Sequence, residues 1–369
     1  MKALVIGGTG PTGPHIISGL EARGYAVSML NRGSRDHSEI SSRVERIIGD
    51  PHFSDTLESA LAGRTFDLVV ATYGRIRLVA DAMATKTDRL VSVGGPPSYR
   101  GFTDPHALFP TGLPFPLPED AARVESAAES SFGYKVRATE DVLMAHHASG
   151  AMNVSHFRYP TVYGPWQVRP TTIWWIAQRC LDGRTQAVLP EAGLTMLTRG
   201  YAENVAHAVL LAVDKPDASA GQIYNCGDDE QFSLAQWVQL VAAEMDKTLE
   251  IVSVPDAFAS TAREMLQFDA PCHHQYLDLG KAQRELGYAD RVSAREAIAR
   301  TVAWLRDNPP DDEAFVARLR AQYALEDQMI GIMAQAADAL GALEHINRQY
   351  HHAYAHPRER GLARDHLNR

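Results

Sequence analysis

Apolar and polar positions alternate in blocks along the first hundred residues. Lys2 to Ile6 is a short apolar run, Gly7 to Gly13 breaks it, and Pro14 to Arg23 restores apolar positions at helical spacing. The same order recurs. The spacing predicts further strands at the YAVSML run, at Val44 to Ile48, Phe66 to Ala71 and Arg89 to Val93, with a helix over Arg75 to Lys86. Strands that are apolar at nearly every position are buried on both faces, as in a parallel sheet covered by helices. The pattern therefore predicts an α/β protein built on a mostly parallel, doubly wound sheet.

Beyond the fifth strand the pattern loosens. Thr103 to Asp120 holds five prolines and reads as a loop suited to the rim of a site, followed by a long helix from Glu119 to Ser149. A strand at Asn153 to Arg158 leads into the turn Tyr159-Pro160-Thr161-Val162-Tyr163-Gly164-Pro165. Asp312 to Tyr350 is amphipathic at helical period, and its apolar positions need the core, another subunit or a substrate entrance to cover them. The expected organisation is a core over 1–165, a mixed region over 166–308 that completes the core and forms a smaller lobe, and a helical extension over 309–369.

The first break carries chemistry. GGTGPTG places Gly7, Gly10 and Gly13 between a strand and a helix, with Thr9, Pro11 and Thr12 filling the turn. Backbone without side chains at that point approaches a pyrophosphate, and the helix amino terminus faces its charge. The second strand ends in Asn31-Arg32-Gly33-Ser34-Arg35, where an acidic residue would hold an adenosine ribose hydroxyl. Arg32, with Arg35, instead offers guanidinium forks to a ribose 2′-phosphate, so NADP(H) is favoured and NAD(H) is the alternative. Asp50 after the third strand is a candidate acceptor for the adenine amino group, and Thr72 and Tyr73 end the fourth strand on the same edge.

Composition narrows the partners. With 36 Lys and Arg against 45 Asp and Glu, the net charge is −9, which argues against nucleic acid. Three cysteines form no CxxC pair and no disulfide framework, so a cytoplasmic setting is expected, and no apolar stretch reaches the length of a membrane span.

Four segments together resemble the extended short-chain dehydrogenase/reductase superfamily, in its NAD-dependent epimerase/dehydratase branch. They are GGTGPTG, RYPTVYGP at 158–165, RGYAENVAHAVLLAV at 199–213 and YLDLGKAQRELGY at 276–288, and the resemblance covers roughly residues 1–308. It implies a Rossmann-type fold with a C-terminal substrate lobe, a nicotinamide cofactor, and Pro160 near the nicotinamide. It also implies a Tyr-x-x-x-Lys helix with a serine after the fifth strand. Here the register of FGYKVRATE puts Phe132 and Val136 at the tyrosine and lysine positions, and Gly94 or Gly95 near the serine position. Tyr134, Lys135 and Tyr99 are the candidate replacements for proton handling. Gly94, Gly95, Tyr163, Trp166, His273 and His274 are candidate substrate contacts, while Ser92 reads as a satisfied core hydroxyl.

The sequence thus predicts an atypical NADP(H)-dependent oxidoreductase acting on a carbonyl or secondary alcohol of a small organic or cyclic metabolite, as a homodimer. A lyase or isomerase on the same scaffold and a catalytically inactive nucleotide-responsive binding protein are the alternatives. No metal site is expected, since His345, His351, His352 and His356 come without fixed ligand spacing.

Overall fold

The computed structural model describes residues 1–35, 37–167, 172–259, 271–309, 313–343 and 359–361. Strands and helices alternate as β1 (Lys2–Ile6), α1 (Gly13–Ala22), β2 (Ala26–Asn31), β3 (Glu45–Ile48), α2 (Ser54–Ala60), β4 (Leu68–Ala71), α3 (Ile76–Met83), β5 (Arg89–Gly94), α4 (Ser131–Ala148) and β6 (Asn153–Arg158). There follow β7 (Thr161–Tyr163), α5 (Thr172–Leu181), β8 (Gln186–Pro190), β9 (Arg199–Tyr201), α6 (Ala202–Asp214), β10 (Gln222–Asn225), α7 (Leu234–Glu244), β11 (Glu250–Val254), α8 (Gly280–Leu286), α9 (Ala294–Asp307) and α10 (Glu313–Gly341).

Seven strands form one parallel sheet in the order β10-β6-β5-β4-β1-β2-β3. Successive residues of a strand face opposite ways, so each inner strand feeds two cores. Ala3 and Val5 of β1 pack with Ile16, Ile17 and Leu20 of α1 and Val205 and Val209 of α6. Leu4 and Ile6 pack on the other face with Leu57 of α2, Val79 and Met83 of α3 and Leu143 of α4. Such two-sided burial is the physical cause of the unbroken apolar runs. The reversal between β1 and β4 leaves a crevice at the carboxyl ends of the strands, the place where an open α/β sheet binds its ligand.

A smaller lobe gathers α5, α7 and α9 around Trp174, Trp175 and Trp237, with β8 and β11 paired in parallel at its side. The chain divides into two compact units, Met1–Ile330 and Gly331–Arg369. The first unit therefore includes the beginning of the segment read as an extension. Leu319 of α10 is buried in the lobe core, and the buried Arg179 of α5 bonds Glu326 while its guanidinium lies 3.7 Å from the Trp175 ring centroid. The histidines His345, His351, His352 and His356 lie outside the described residues.

One expected element is shorter than its pattern. The helix predicted from Glu119 begins at Ser131, where Ser130 caps it by accepting from the Gly133 N–H at 3.1 Å. Residues before it run alongside the loop after β5 instead, through Arg100 N–H to Ala122 O and Val124 N–H to Ser98 O, both 2.9 Å. Backbone pairing with a neighbouring segment here overrides local helix propensity.

Helix α4 is held to the sheet by a buried ion pair. Arg158 at the end of β6 donates to both carboxylate oxygens of Glu140, at 2.7 and 2.9 Å, and Ser98 and Arg123 add bonds at 2.8 and 3.1 Å. Burial opposes ionisation of Glu140, but the Arg158 bonds and charge outweigh it and hold the carboxyl below its ordinary range. Removing one partner strands the other charge in the interior. Glu140→Ala is therefore expected to cost about 3–5 kcal/mol in urea unfolding; a loss below about 1 kcal/mol would show that the pair does not hold the helix.

Candidate active site

The glycine loop is shaped by contacts that leave no space for side chains. Gly7 and Gly8 have φ of 105° and 88°, a region costly for other residues. A Cβ at Gly13 would stand 2.0 Å from the Gly8 carbonyl oxygen, and one at Gly8 would stand 2.6 Å from Met29 Sδ. Helix α1 has no side-chain cap at Thr12; in its first turn the Gly13 N–H donates to the Gly10 carbonyl and the Ile16 N–H to the Thr12 carbonyl, both at 3.0 Å, and Pro14 has no N–H. Above the loop lies a cleft of about 610 Å3 lined by Gly7, Thr9, Gly10, Pro11, Thr12, Asn31, Arg32, Arg35, Thr72 and Tyr73, with Tyr159. A backbone turn that a Cβ would close fits the close approach of a dinucleotide's pyrophosphate, and Arg32 and Arg35 line the same cleft.

Gly13 serves this cleft by packing α1 against the turn. Asp50 stands in an adjoining hollow with Arg32, where His52 holds its carboxylate through Nδ1 at 2.8 Å and N–H at 3.0 Å and keeps its pKa low. Arg32 lies 5.7 Å from the Tyr73 ring centroid, which stacks its guanidinium beside the cleft.

A second cleft of about 910 Å3 shares Thr72, Tyr73 and Tyr159 with the first. Gly94 and Gly95 at the end of β5, Pro160, and Phe132, Lys135, Val136 and Thr139 of α4 line it. These four α4 positions fall on one helix face, at spacings of three and four residues. The register deduced for Phe132 and Val136 thus points both side chains at the cleft, and neither can exchange a proton. Arg75, Arg77 and Lys135 give the lining positive charge, and no carboxylate is among the described lining residues.

The structure separates several candidates from this cleft. Tyr134 is on another face of α4, its ring centroid 5.9 Å from the Arg137 guanidinium carbon, so the Tyr134–Lys135 pair is split. Tyr99 is buried: its hydroxyl donates to Asn225 at 2.8 Å, and burial pushes its pKa well above the ordinary value. Tyr163 is likewise in the lobe core, donating to Asp228 at 2.7 Å. Trp166, with φ of 61°, packs against the His15 and His37 rings at 6.2 and 5.0 Å. His273 lies with its ring nitrogens 2.7 and 3.2 Å from the Pro271 and Phe102 carbonyls, and His274 accepts from the Met196 N–H at 3.2 Å. The side chains of Tyr99, Tyr163, Trp166, His273 and His274 are engaged in packing or loop bonds away from the described lining.

One lining residue was not singled out in the sequence. His156 of β6 is 1% exposed, with Nδ1 2.9 Å from Ser92 Oγ and a buried Nε2 that has no hydrogen-bond partner among the described residues. Its signal was an imidazole inside a strand that is otherwise buried on both faces, where a polar ring requires a partner. Burial lowers its pKa from 6.5 to about 4, which keeps the ring neutral near pH 7.

The fold is a Rossmann-type α/β sheet with a glycine-rich turn at its crevice. Residues 106–227 match the model of the NAD dependent epimerase/dehydratase family. The uncharacterized protein YbjS of Escherichia coli is 31% identical over 139 residues, 33% of this chain and 41% of YbjS, so the chain spans about two fifths of that relative's length. A 3-diazoavenalumate denitrifying reductase of a Streptomyces species is 27% identical over 252 residues, 64% of this chain and 79% of its own. The structure of a UDP-glucuronic acid 4-epimerase from Bacillus cereus in complex with UDP-glucuronic acid and NAD shares the fold, with a TM-score of 0.64 and 17% identity over 84% of this chain and 100% of that one. The resemblance is borne out over residues 106–227, which match the family's model, and several solved structures that share the fold are named as epimerases or dehydratases.

The low pKa of His156 has a consequence for stability. Below 6.5 the unfolded chain takes up this proton while the folded ring does not until about pH 4, so stability is retained above 6.5 and falls as the pH drops toward 4. The loss over that window is expected to reach roughly 3 kcal/mol. His156→Gln removes it, and urea titrations of the two proteins between pH 7 and pH 4 measure the difference; parallel curves would refute the assignment.

Proposed function

We propose that this chain is an atypical NADP(H)-dependent oxidoreductase acting on a carbonyl or secondary alcohol of a small organic or cyclic metabolite. The observation that carries the reading is the pair Arg32 and Arg35 at the end of β2, lining the same cleft as the glycine loop. There the backbone of Gly7 to Gly13 receives the pyrophosphate and the arginines receive the 2′-phosphate. Asn31, Thr72 and Tyr73 complete the walls, Asp50 lies toward the adenine, and Pro160 lines the adjoining cleft on the nicotinamide side. The bound nicotinamide supplies hydride chemistry.

On the substrate side, Gly94 and Gly95 withdraw side-chain bulk from the strand end, and Phe132 and Val136 give an apolar wall. Lys135 is the proton-handling candidate of α4 that faces the cleft, and it acts there without Tyr134. The reductase activity named for the Streptomyces relative supports a redox reading. An isomerase or lyase reaction in the same cleft is supported by the epimerase named for the Bacillus cereus neighbour. The proton-inert pair Phe132 and Val136 supports the third reading, a nucleotide-responsive binding protein.

We assign the working form to a cytoplasmic homodimer. The free thiols Cys180 and Cys226 and the exposed Ile332, Leu340 and Leu343 support that reading. No described helix is long and apolar enough to cross a membrane.

Fluorescence titration tests the cofactor. NADPH is expected to bind more tightly than NADH, and Arg32→Ala to weaken NADPH about tenfold or more while leaving NADH little changed, as loss of a charge-assisted bond requires. Equal affinities in the native chain would overturn the NADP(H) assignment. Loss of reduced-nicotinamide absorbance on adding ketones separates redox turnover from binding alone, and product without that loss supports the isomerase or lyase.

A further inference from the structure

His156 is the buried polar side chain that the reaction as described leaves without a role. It is the register partner of Ser92 across β5 and β6, on the sheet face that α4 covers. Ser92 is fully buried, and its hydroxyl has one hydrogen-bond partner among the described residues, Nδ1 of His156. A buried hydroxyl needs an acceptor for its hydrogen, so Ser92 donates to Nδ1. The single proton of a neutral imidazole then sits on Nε2. That N–H has no acceptor among the described residues.

The missing side chain at Gly94 gives the orphaned donor its direction. A Cβ there would stand 2.7 Å from Nε2 and cap it. With glycine, the ring forms part of the cleft lining beside Gly94, Gly95 and Pro160.

We propose that Nε2 of His156 is the hydrogen-bond donor for the reacting oxygen of the ligand in this cleft, with Ser92 as the positioning residue that selects its tautomer. The proposal rests on the oxidoreductase reading, in which a carbonyl oxygen gains negative charge as hydride arrives. A buried imidazole that stays neutral polarises such an oxygen as a preorganised donor, without bringing a charge into the interior. Phe132 and Val136, at the positions where the resembling family carries its tyrosine and lysine, have no group that could do so. The ligand class that fits is a compound whose carbonyl or hydroxyl oxygen is small enough on one side to descend past Gly94.

Two measurements on the full chain test this. In 15N-histidine NMR, the His156 signals, assigned by their loss in His156→Gln, are expected to show a protonated Nε2 and an unprotonated Nδ1. In Ser92→Ala this tautomer preference is expected to weaken or reverse. An unprotonated Nε2 in the native chain overturns the proposal whatever the protein turns over.

The second measurement is NADPH oxidation with a panel of aliphatic and cyclic ketones, beside NADPH affinity. His156→Leu is expected to lose about 100-fold in kcat while NADPH affinity stays within about twofold, as for removal of one oxyanion donor. His156→Gln, whose amide still donates, is expected to recover part of the loss, and Gly94→Ala to lose activity with its cofactor affinity intact. Unchanged kcat in a folded, NADPH-binding His156→Leu overturns the proposal. Absence of NADPH oxidation by the native chain with every ketone, while Nε2 is protonated, overturns the oxidoreductase reading and the catalytic role with it; the tautomer measurement tells that failure from a wrong assignment of the histidine.

Discussion

The buried pair of Glu140 and Arg158 sets the geometry on which the site depends. Glu140 is fully buried in α4, and Arg158 ends β6, so the pair ties helix to sheet at the strand end where the clefts open. Arg158 also donates to the Glu119 carbonyl at 2.9 Å and lies 4.2 Å from the Tyr99 ring centroid. The loop after β5, the proline-rich excursion and α4 thereby share one interior charge cluster. Two charges removed from water are tolerable only when every donor and acceptor is met, so the cluster permits few arrangements. With Glu140 turned inward, the rotation of α4 is determined, and Phe132, Lys135, Val136 and Thr139 come to the cleft side.

Within that frame, absent side chains do much of the shaping. At Gly13 the missing Cβ lets backbone approach backbone, and at Gly7 and Gly8 it makes room for the side chains of Thr72, Tyr73 and Met29. At Gly94 the missing Cβ leaves room beside the buried Nε2 of a histidine from the next strand. The first group shapes the turn under one cleft, and the second brings a neighbouring strand's side chain beside the other. In both places a strand ends at the crevice created by the reversal of strand order.

The cleft at the glycine turn was largely legible because the residues that line it are local. Gly7 to Gly13 with Arg32 and Arg35 are close in sequence to the strands that carry them, and period and turn chemistry locate both ends. The catalytic side was less so. Tyr99, Tyr163, Trp166, His273 and His274 are chemically able residues in loops and strand ends, yet each is turned into packing or loop bonds by segments distant in sequence: Asn225, Asp228, His37, Phe102 and Met196. His156 escaped notice for the converse reason, since its neighbour Ser92 is 64 residues away and meets it only through strand pairing.

By itself the sequence determined the α/β class, the parallel sheet with cores on both faces, and the glycine turn between β1 and α1. Those features follow from periodicity and from residue types that constrain their own backbone. Only the tertiary structure decided which side of α4 meets the cleft, which tyrosines are spent in the core, where α4 begins, and that Gly94 lies over His156. These depend on burying Glu140 with Arg158 and on the register of β5 with β6, interactions between residues far apart in the chain that local pattern does not encode.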